Sequence, residues 1–442
     1  MKGYSMAEQN VRKIALRLLR RYEAEEQFVN LILADEAVRA LSAEDRRFLT
    51  ALLYGTVERL VTLDHVIDSL ANRPGGMAPH TKNALRLGLY QLLYMDGVPD
   101  HAAVNETVAL AGSRGERGFL NAMMRAAIRS PEKYAPPARE ADPVRYLSLT
   151  YSFSEAVLRH FLSFLDLEET EALLSAFNET KPLTLRVNTE KTDRATLLAA
   201  LRAAGYEAAE TPYAPCGIRL LASADPTALP GFAEGLFYVQ DEASQIAVAA
   251  LGAQDAALAV DTCACPGGKT FGIALDMKDR GSVEAFDLHE SKLPLIREGA
   301  RRLGLSSVHA SVHDGTLPLA SLAGRADCVL CDAPCSGLGV LGKKADLRHR
   351  AACRTEELPP LQEKILAAAA TYVRAGGTLV YSTCTLNPKE NEGVARAFLS
   401  SHPDFRAVPF AVGALAAQDG MLTLYPHVHG TDGFFVAKFE RT

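Results

Sequence analysis

Ala259-Val260-Asp261-Thr262-Cys263-Ala264-Cys265-Pro266-Gly267-Gly268-Lys269-Thr270 is the stretch that decides the fold. It opens as the end of an apolar run over 256–260, breaks at Pro266-Gly267-Gly268, and passes into helical spacing over 268–278. Strand, glycine turn and helix in that order form the first unit of a doubly wound α/β sheet. The two glycines let the backbone approach a ligand closely, and the helix start offers unpaired N–H groups. Gly268-Lys269-Thr270 resembles the tail of a phosphate-binding loop. Such a loop needs a glycine five residues before Gly268, and Cys263 stands there. The GxGxxG spacing of dinucleotide sites is missing as well. The expected ligand is therefore an adenosine-containing molecule without a phosphate chain.

Downstream the period continues. Apolar runs at 282–286, 326–331 and 377–381 alternate with helical stretches at 242–251, 268–278, 290–303 and 356–374. Ligands of such sheets bind beyond the carboxyl ends of the strands, where the chemistry-bearing residues fall. Asp287 ends the second strand and suits ribose hydroxyls, although an aspartate there also caps helices. Asp314 follows the third and suits an adenine amino group, or simply a turn before Gly315. The fourth strand delivers Cys331-Asp332-Ala333-Pro334-Cys335, and the fifth Ser382-Thr383-Cys384-Thr385. One carboxylate and two thiols at neighbouring strand ends suit methylation of an unactivated pyrimidine carbon. That chemistry needs a nucleophile to add at C6, an acid near N3 and a base to remove the C5 proton, and Cys384, Cys335 and Asp332 can supply the set. A thiol of ordinary pKa needs local activation, for which Lys269 is a candidate.

Before this region lie two others. Residues 6 to about 133 read as helical, with Val11, Ile14, Ala15, Leu18 and Leu19, then Leu85, Leu89, Leu92 and Leu93, at helical spacing. Ser42 and Asp45 carry N-cap chemistry. The proline-rich 136–149 reads as a linker. Residues 150–235 form a small α/β or α+β module, with strands at 183–187 and 217–221. The expected division is a helical bundle over 1–135, the module over 150–235, and a catalytic α/β domain over 236–442.

The chain carries 47 Lys and Arg against 53 Asp and Glu, a net charge of −6, so any polyanion must meet local basic patches. Lys343, Lys344, Arg348 and Arg350 follow the Asp332 motif and are placed to grip phosphate. The first residues lack the apolar core of a secretory signal and no run reaches bilayer length, so the expected compartment is the cytoplasm, without a membrane partner. Eight cysteines fit that setting. Cys328 and Cys331 have CxxC spacing but lie in a strand-like run with no second pair, so no metal is expected.

The segments 261–270, 332–337 and 381–392 resemble the motifs of the Sun/NOL1/NOP2 family of RNA cytosine-C5 methyltransferases. Leu236 through Ser244 and Asp432-Gly433-Phe434-Phe435-Val436-Ala437 are similar to that family's catalytic-domain borders. Residues 6–133, ending in Phe119-Leu120-Asn121-Ala122-Met123-Met124-Arg125, resemble NusB-type helical RNA-binding domains. The resemblance implies S-adenosylmethionine as cofactor, held by Cys263, Ala264, Cys265, Pro266, Gly267, Gly268, Lys269, Asp287, Asp314 and Asp332 in a Rossmann-like domain with a mostly parallel sheet. It implies Cys384 as nucleophile and Cys335 as the residue that releases the product. Cys265 departs from the alanine usual in the family. The pairing with a NusB-like domain implies 16S ribosomal RNA as substrate, free or in an assembling small subunit; the expected state is a monomer, which the sequence does not itself fix. Transfer RNA is the near alternative, and a non-catalytic NusB-like RNA-binding protein the alternative of another class. A P-loop ATPase is opposed by Cys263.

Overall fold

The computed structural model describes residues 10–25, 27–222, 224–350 and 356–442. The chain forms two compact units: one runs to Leu174 and includes Lys344–Arg350, and the other comprises Ser175–Lys343 and the chain after Arg350.

The first unit is helical. Its longer helices are Val11–Glu25, Ala43–Glu58, Leu60–Leu70, Pro79–Tyr94 and Arg114–Arg129. Ile14, Ala15, Leu18, Leu19, Leu85 and Leu89 are buried on facing stripes, as their spacing requires. Ser42 Oγ accepts from Asp45 N at 3.1 Å and caps the second of these helices. Arg86 is buried inside and forks onto Asp64 at 2.6 and 2.7 Å, with Glu23 as a second partner. Buried charge of this kind is tolerated only when so paired.

Two segments depart from expectation. Pro143–Tyr151, assigned to the linker, is a helix capped by Asp142 and held by Thr62 Oγ1 donating to Leu149 O at 2.7 Å. The basic stretch Lys344–Arg350 belongs to the helical unit. Ala345 sits in its core, and the Asp346 carboxylate accepts from Val29 N at 3.0 Å. Arg348 is fully buried, 3.2 Å from Glu58 and over the Phe153 ring at 4.5 Å, and its carbonyl accepts from Ser154 N. His349 Nε2 lies 2.8 Å from Val57 O. A guanidinium with no exposed surface does not meet RNA, so the phosphate-gripping role expected of Arg348 is withdrawn.

The second unit holds two principal sheets. The smaller contains β1 (Leu183–Val187), β2 (Ala208–Glu210), β3 (Gly217–Leu220) and β4 (Phe237–Val239), in the order β2-β3-β1-β4 and antiparallel throughout. Helix Arg194–Ala203 covers it, with Leu185, Val187, Leu197, Leu201, Ile218 and Phe237 as core. β4 pairs Val187 with Phe237 and Leu185 with Val239, so the small sheet reaches past the expected boundary at 236.

The larger sheet contains β5 (Leu258–Asp261), β6 (Ser282–Asp287), β7 (Val308–Val312), β8 (Ala326–Asp332), β9 (Val373–Thr383), β10 (Phe405–Ala407), β13 (Met421–Leu424) and β14 (Phe434–Arg441); β11 (Phe410–Val412) and β12 (Leu415–Ala417) form a separate ribbon. The order is β10-β14-β9-β8-β5-β6-β7, with β13 also on β14. β5 to β9 run parallel, while β14 is antiparallel to β9. Alternate residues feed opposite cores, as in a sheet covered on both faces. Ala259, Leu330, Val380 and Val436 face one core, and Val260, Val329, Leu379 and Phe435 the other. Helix Leu358–Ala370 stops short of the expected 374 because β9 already begins at Val373. That strand bulges at Gly376, since Val373 and Thr378 pair with Ala326 and Cys328, only two residues apart.

Arg348→Ala is expected to lower the unfolding free energy by about 2–4 kcal/mol, losing both an ion pair and buried packing. Exposed Lys344→Ala should change it by less than about 0.5 kcal/mol. Urea unfolding of the two variants measures the difference.

Candidate active site

The glycine turn after β5 is tightly made. Ala264 N donates to Phe286 O and Gly267 N to Ala264 O, both at 2.7 Å. Gly267 has φ +108°, and a Cβ there would meet the Phe271 ring at 2.5 Å, so only glycine fits. Gly268 then begins the helix Gly268–Asp276.

Asp261, which the sequence reading passed over, is wholly buried at the base of this turn. Its Oδ2 accepts from Thr270 Oγ1 at 2.7 Å. Among the described residues its Oδ1 has no hydrogen-bond partner, although the Cys263 N–H lies close enough to favour the charged form. Burial pushes this carboxyl up to about 6.

The next two carboxylates stand at the ends of β6 and β7. Asp287 Oδ1 accepts from His289 N at 2.9 Å and lies 3.8 Å from Lys292 Nζ; beside it Leu288 exposes an apolar side chain. Asp314 Oδ1 accepts from Thr316 N at 2.9 Å and Thr316 Oγ1 at 2.7 Å, bonds that hold its carboxyl below the usual range. Asp314 therefore builds its own turn, and only Oδ2 is left for a ligand.

Asp332 ends β8. Its Oδ2 accepts from Lys269 Nζ at 2.7 Å and its Oδ1 from Ser382 Oγ at 2.7 Å, which ties the glycine turn to two neighbouring strands. Lys269 also lies over the Phe434 ring, 5.2 Å from its centroid. Burial alone would lower the Lys269 pKa, but Asp332 more than offsets it and, with a smaller contribution from Cys384, leaves it raised.

The two cysteines meet. Cys335 Sγ and Cys384 Sγ are 3.2 Å apart and both are half-buried. The bond to Cys384 comes first among the causes that push the Cys335 thiol well up; burial and the Cys384 and Glu390 charges follow. The other thiols are set apart by their surroundings. Burial pushes Cys263 and Cys328 up to about 12, and Cys331 up as well. Cys328 and Cys331 face opposite cores of the sheet, so their CxxC spacing brings no two thiols together. Cys265 lies 3.9 Å from Lys292 O.

Of the expected phosphate-gripping residues, Lys343 is held between Asp241 at 2.5 Å and Asp432 at 2.8 Å. Lys344 is exposed, and the Arg350 side chain lies outside the described residues. Sequence reasoning missed a polar group behind the thiols: Ser336, Thr385, Glu390 and Asn391, all buried. The polar run Asn387-Pro388-Lys389-Glu390-Asn391-Glu392 carried the signal, but such a run ordinarily marks a solvated helix start.

Strand order, the glycine turn and carboxylates at successive strand ends define a Rossmann-like methyltransferase domain. Comparison with known proteins agrees along the chain. A family model described as 16S rRNA methyltransferase RsmB/F matches residues 248–440, one for the NusB family matches 9–129, and one for the ferredoxin-like domain of RsmF/B-like methyltransferases matches 163–226. The probable ribosomal RNA small subunit methyltransferase B of Synechocystis sp. is 39% identical, over 98% of this chain and 99% of that one. Its counterpart in Bacillus subtilis is 36% identical, over 99% of this chain and 100% of that one. The crystal structure of PH0851 superposes with a TM-score of 0.78 at 26% identity, covering 100% of both chains. The chain belongs to the RsmB/F family of 16S rRNA methyltransferases.

Asp261 makes a pH prediction. Its folded pKa of about 6 lies above the 3.8 of an ordinary carboxyl, so folding favours the protonated form. That contribution is full below pH 3.8 and is lost as pH rises through about 6, on the order of 2–3 kcal/mol in all. Asp261→Asn should flatten this part of the stability curve. Thermal unfolding between pH 4 and 7 is the measurement; an unchanged slope would show the pH dependence to lie elsewhere.

Proposed function

We propose that the chain methylates C5 of a cytosine in 16S ribosomal RNA, using S-adenosylmethionine, through a covalent bond between Cys384 and the base. The observation that carries this reading is the Cys335–Cys384 contact beside the Lys269–Asp332 pair. The relatives' names support the RNA class, since both are called ribosomal RNA small subunit methyltransferases.

The site fits the cofactor. Asp261 Oδ1 is a buried acceptor without a hydrogen-bond partner among the described residues, and it suits a ligand with a cationic end. Asp287 keeps Oδ2 for ribose hydroxyls, with exposed Leu288 as an apolar neighbour for a base. Cys263 through Lys269, Asp287, Asp314 and Asp332 are the residues that would hold it. When bound, S-adenosylmethionine supplies a methyl group on a sulfonium that an activated C5 can accept.

The chain's own residues do the rest. The Lys269 ammonium favours Cys384 as thiolate, which adds to C6. Both Asp332 oxygens already accept hydrogen bonds, so charge at N3 would be met by the pair, Lys269, 2.7 Å from Asp332, lending a proton that returns when the adduct breaks. Addition at C6 makes C5 an enamine carbon. Once Cys384 is bonded to C6, its charge no longer holds Cys335 protonated. When C5 carries the methyl group, Cys335, its own proton passed to solvent, takes the C5 proton as thiolate; those electrons close the C5–C6 double bond and the C6–S bond breaks with Cys384 leaving as thiolate. The NusB-like residues 1–135 and the module at 150–235 are proposed to contact the RNA, with exposed Lys344 as a phosphate contact.

Cys335→Ala, incubated with S-adenosylmethionine and 16S rRNA, should leave a slow-migrating protein–RNA adduct on a denaturing gel. Cys335→Ala/Cys384→Ala should leave none. Absence of adduct while wild type methylates the same RNA would refute the assigned cysteine roles. A silent wild type would refute the substrate, and transfer RNA would be tried in its place.

A further inference from the structure

The two cysteines are anchored unequally. Cys384 follows β9, whose last residues pair on both sides: Ser382 with Asp332 and Thr383 with Phe435. Its carbonyl accepts from Gly339 N at 3.0 Å. Cys335 follows β8, where the ladder ends with Ala333 N donating to Ser382 O at 3.0 Å. Pro334 has no N–H to give. Ser336 N donates to a side chain instead, Glu390 Oε2, at 2.9 Å.

Glu390 is fully buried and accepts four hydrogen bonds. Oε1 takes Ser336 Oγ at 2.5 Å and Asn387 Nδ2 at 3.0 Å, while Oε2 takes Ser336 N and Gln362 Nε2, each at 2.9 Å. Gln362 Nε2 also reaches Pro334 O at 2.9 Å, so both flanks of Cys335 are tied to this one carboxylate. The tie extends to the other cysteine. With its own proton on Glu390, Ser336 Oγ accepts from Thr385 Oγ1 at 2.7 Å, and Thr385 follows Cys384. Asn391 secures that side, donating to Thr385 O at 3.0 Å and accepting from Thr383 Oγ1 at 2.6 Å.

We infer that Glu390 is a positioning residue that holds Cys335 against Cys384 and so governs release of the covalent adduct. The inference rests on the C5 reading proposed above. The groups that form the adduct, Cys384, Lys269 and Asp332, make no hydrogen bond to Glu390 among the described residues; the tie touches Cys384 only through its neighbour Thr385, and strand pairing on both sides of β9 holds Cys384 as well. Cys335 has no comparable ladder. Loosening Glu390 therefore displaces the residue that removes the proton before it displaces the nucleophile. A displacement of about 1 Å at a reacting group costs on the order of 100-fold in rate.

Glu390→Gln keeps the shape but turns an amide N–H toward donors. Its steady-state turnover should fall roughly 10–100-fold, while methyl incorporation in the first turnover stays within about threefold of wild type. The fraction of enzyme trapped on 16S rRNA should rise toward that of Cys335→Ala. Ser336→Ala and Thr385→Val, which each remove one hydroxyl and leave the Ser336 N bond, should shift the same partition partway, and they carry the test should Glu390→Gln not fold. A purely structural role would lower the first turnover and release together without extra adduct. That outcome, or unchanged turnover, overturns the inference. If Cys335→Ala traps nothing while wild type methylates, the covalent reading fails first, and that result is distinct from normal Cys335→Ala trapping with no shift in the Glu390 and Ser336 variants.

Discussion

The ion pair between Lys269 and Asp332 is the interaction on which the rest of the site depends. It joins the turn after β5 to the end of β8, and through Ser382 to the end of β9, so three adjacent strands present their residues in one register. Both partners are mostly removed from water, and an unpaired charge at either position would be costly. The pairing makes each charge tolerable because of the other. It also places a positive group near Cys384, where it favours an anionic sulfur.

Burial then sorts the thiols. Cys263, Cys328 and Cys331 are spent as small apolar groups, their ionisation suppressed by the cores around them. Cys335 is held protonated as well, but by its bond to Cys384 before burial, and it and Cys384 are only half-buried because the strands that carry them end there. One helps suppress the other: a proton shared across 3.2 Å favours one anion between two sulfurs over two.

Much of this was legible in the chain itself, for reasons that differ by element. The turn at 261–270 and the residues at 332, 335 and 384 were readable because a parallel sheet puts function at strand ends, where local punctuation marks them. β4 and β14 were not, since each is defined by pairing with residues far away in sequence, and periodicity contains no partner. Arg348 misled because a basic run is ordinarily a wet surface, whereas Glu58 and the Phe153 ring make it interior. Glu390 was invisible for the mirror-image reason: a polar run after a strand suggests a helix cap, and only the fold closes Ser336, Gln362 and Asn387 around it. Asp261 stood within the quoted stretch, but nothing local announces that one of its oxygens is left over.

The membership of Lys344–Arg350 in the helical unit bears on the order in which the protein is made. Domains generally fold as they leave the ribosome, the amino-terminal one first. Here the amide of Val29, the carboxylate of Glu58 and the ring of Phe153 wait for Asp346 and Arg348. These arrive only after the whole stretch from Ser175 to Lys343 has been synthesised. The domain begun first is therefore among the last to be finished, and its completion signals that the catalytic strands up to β8 already exist.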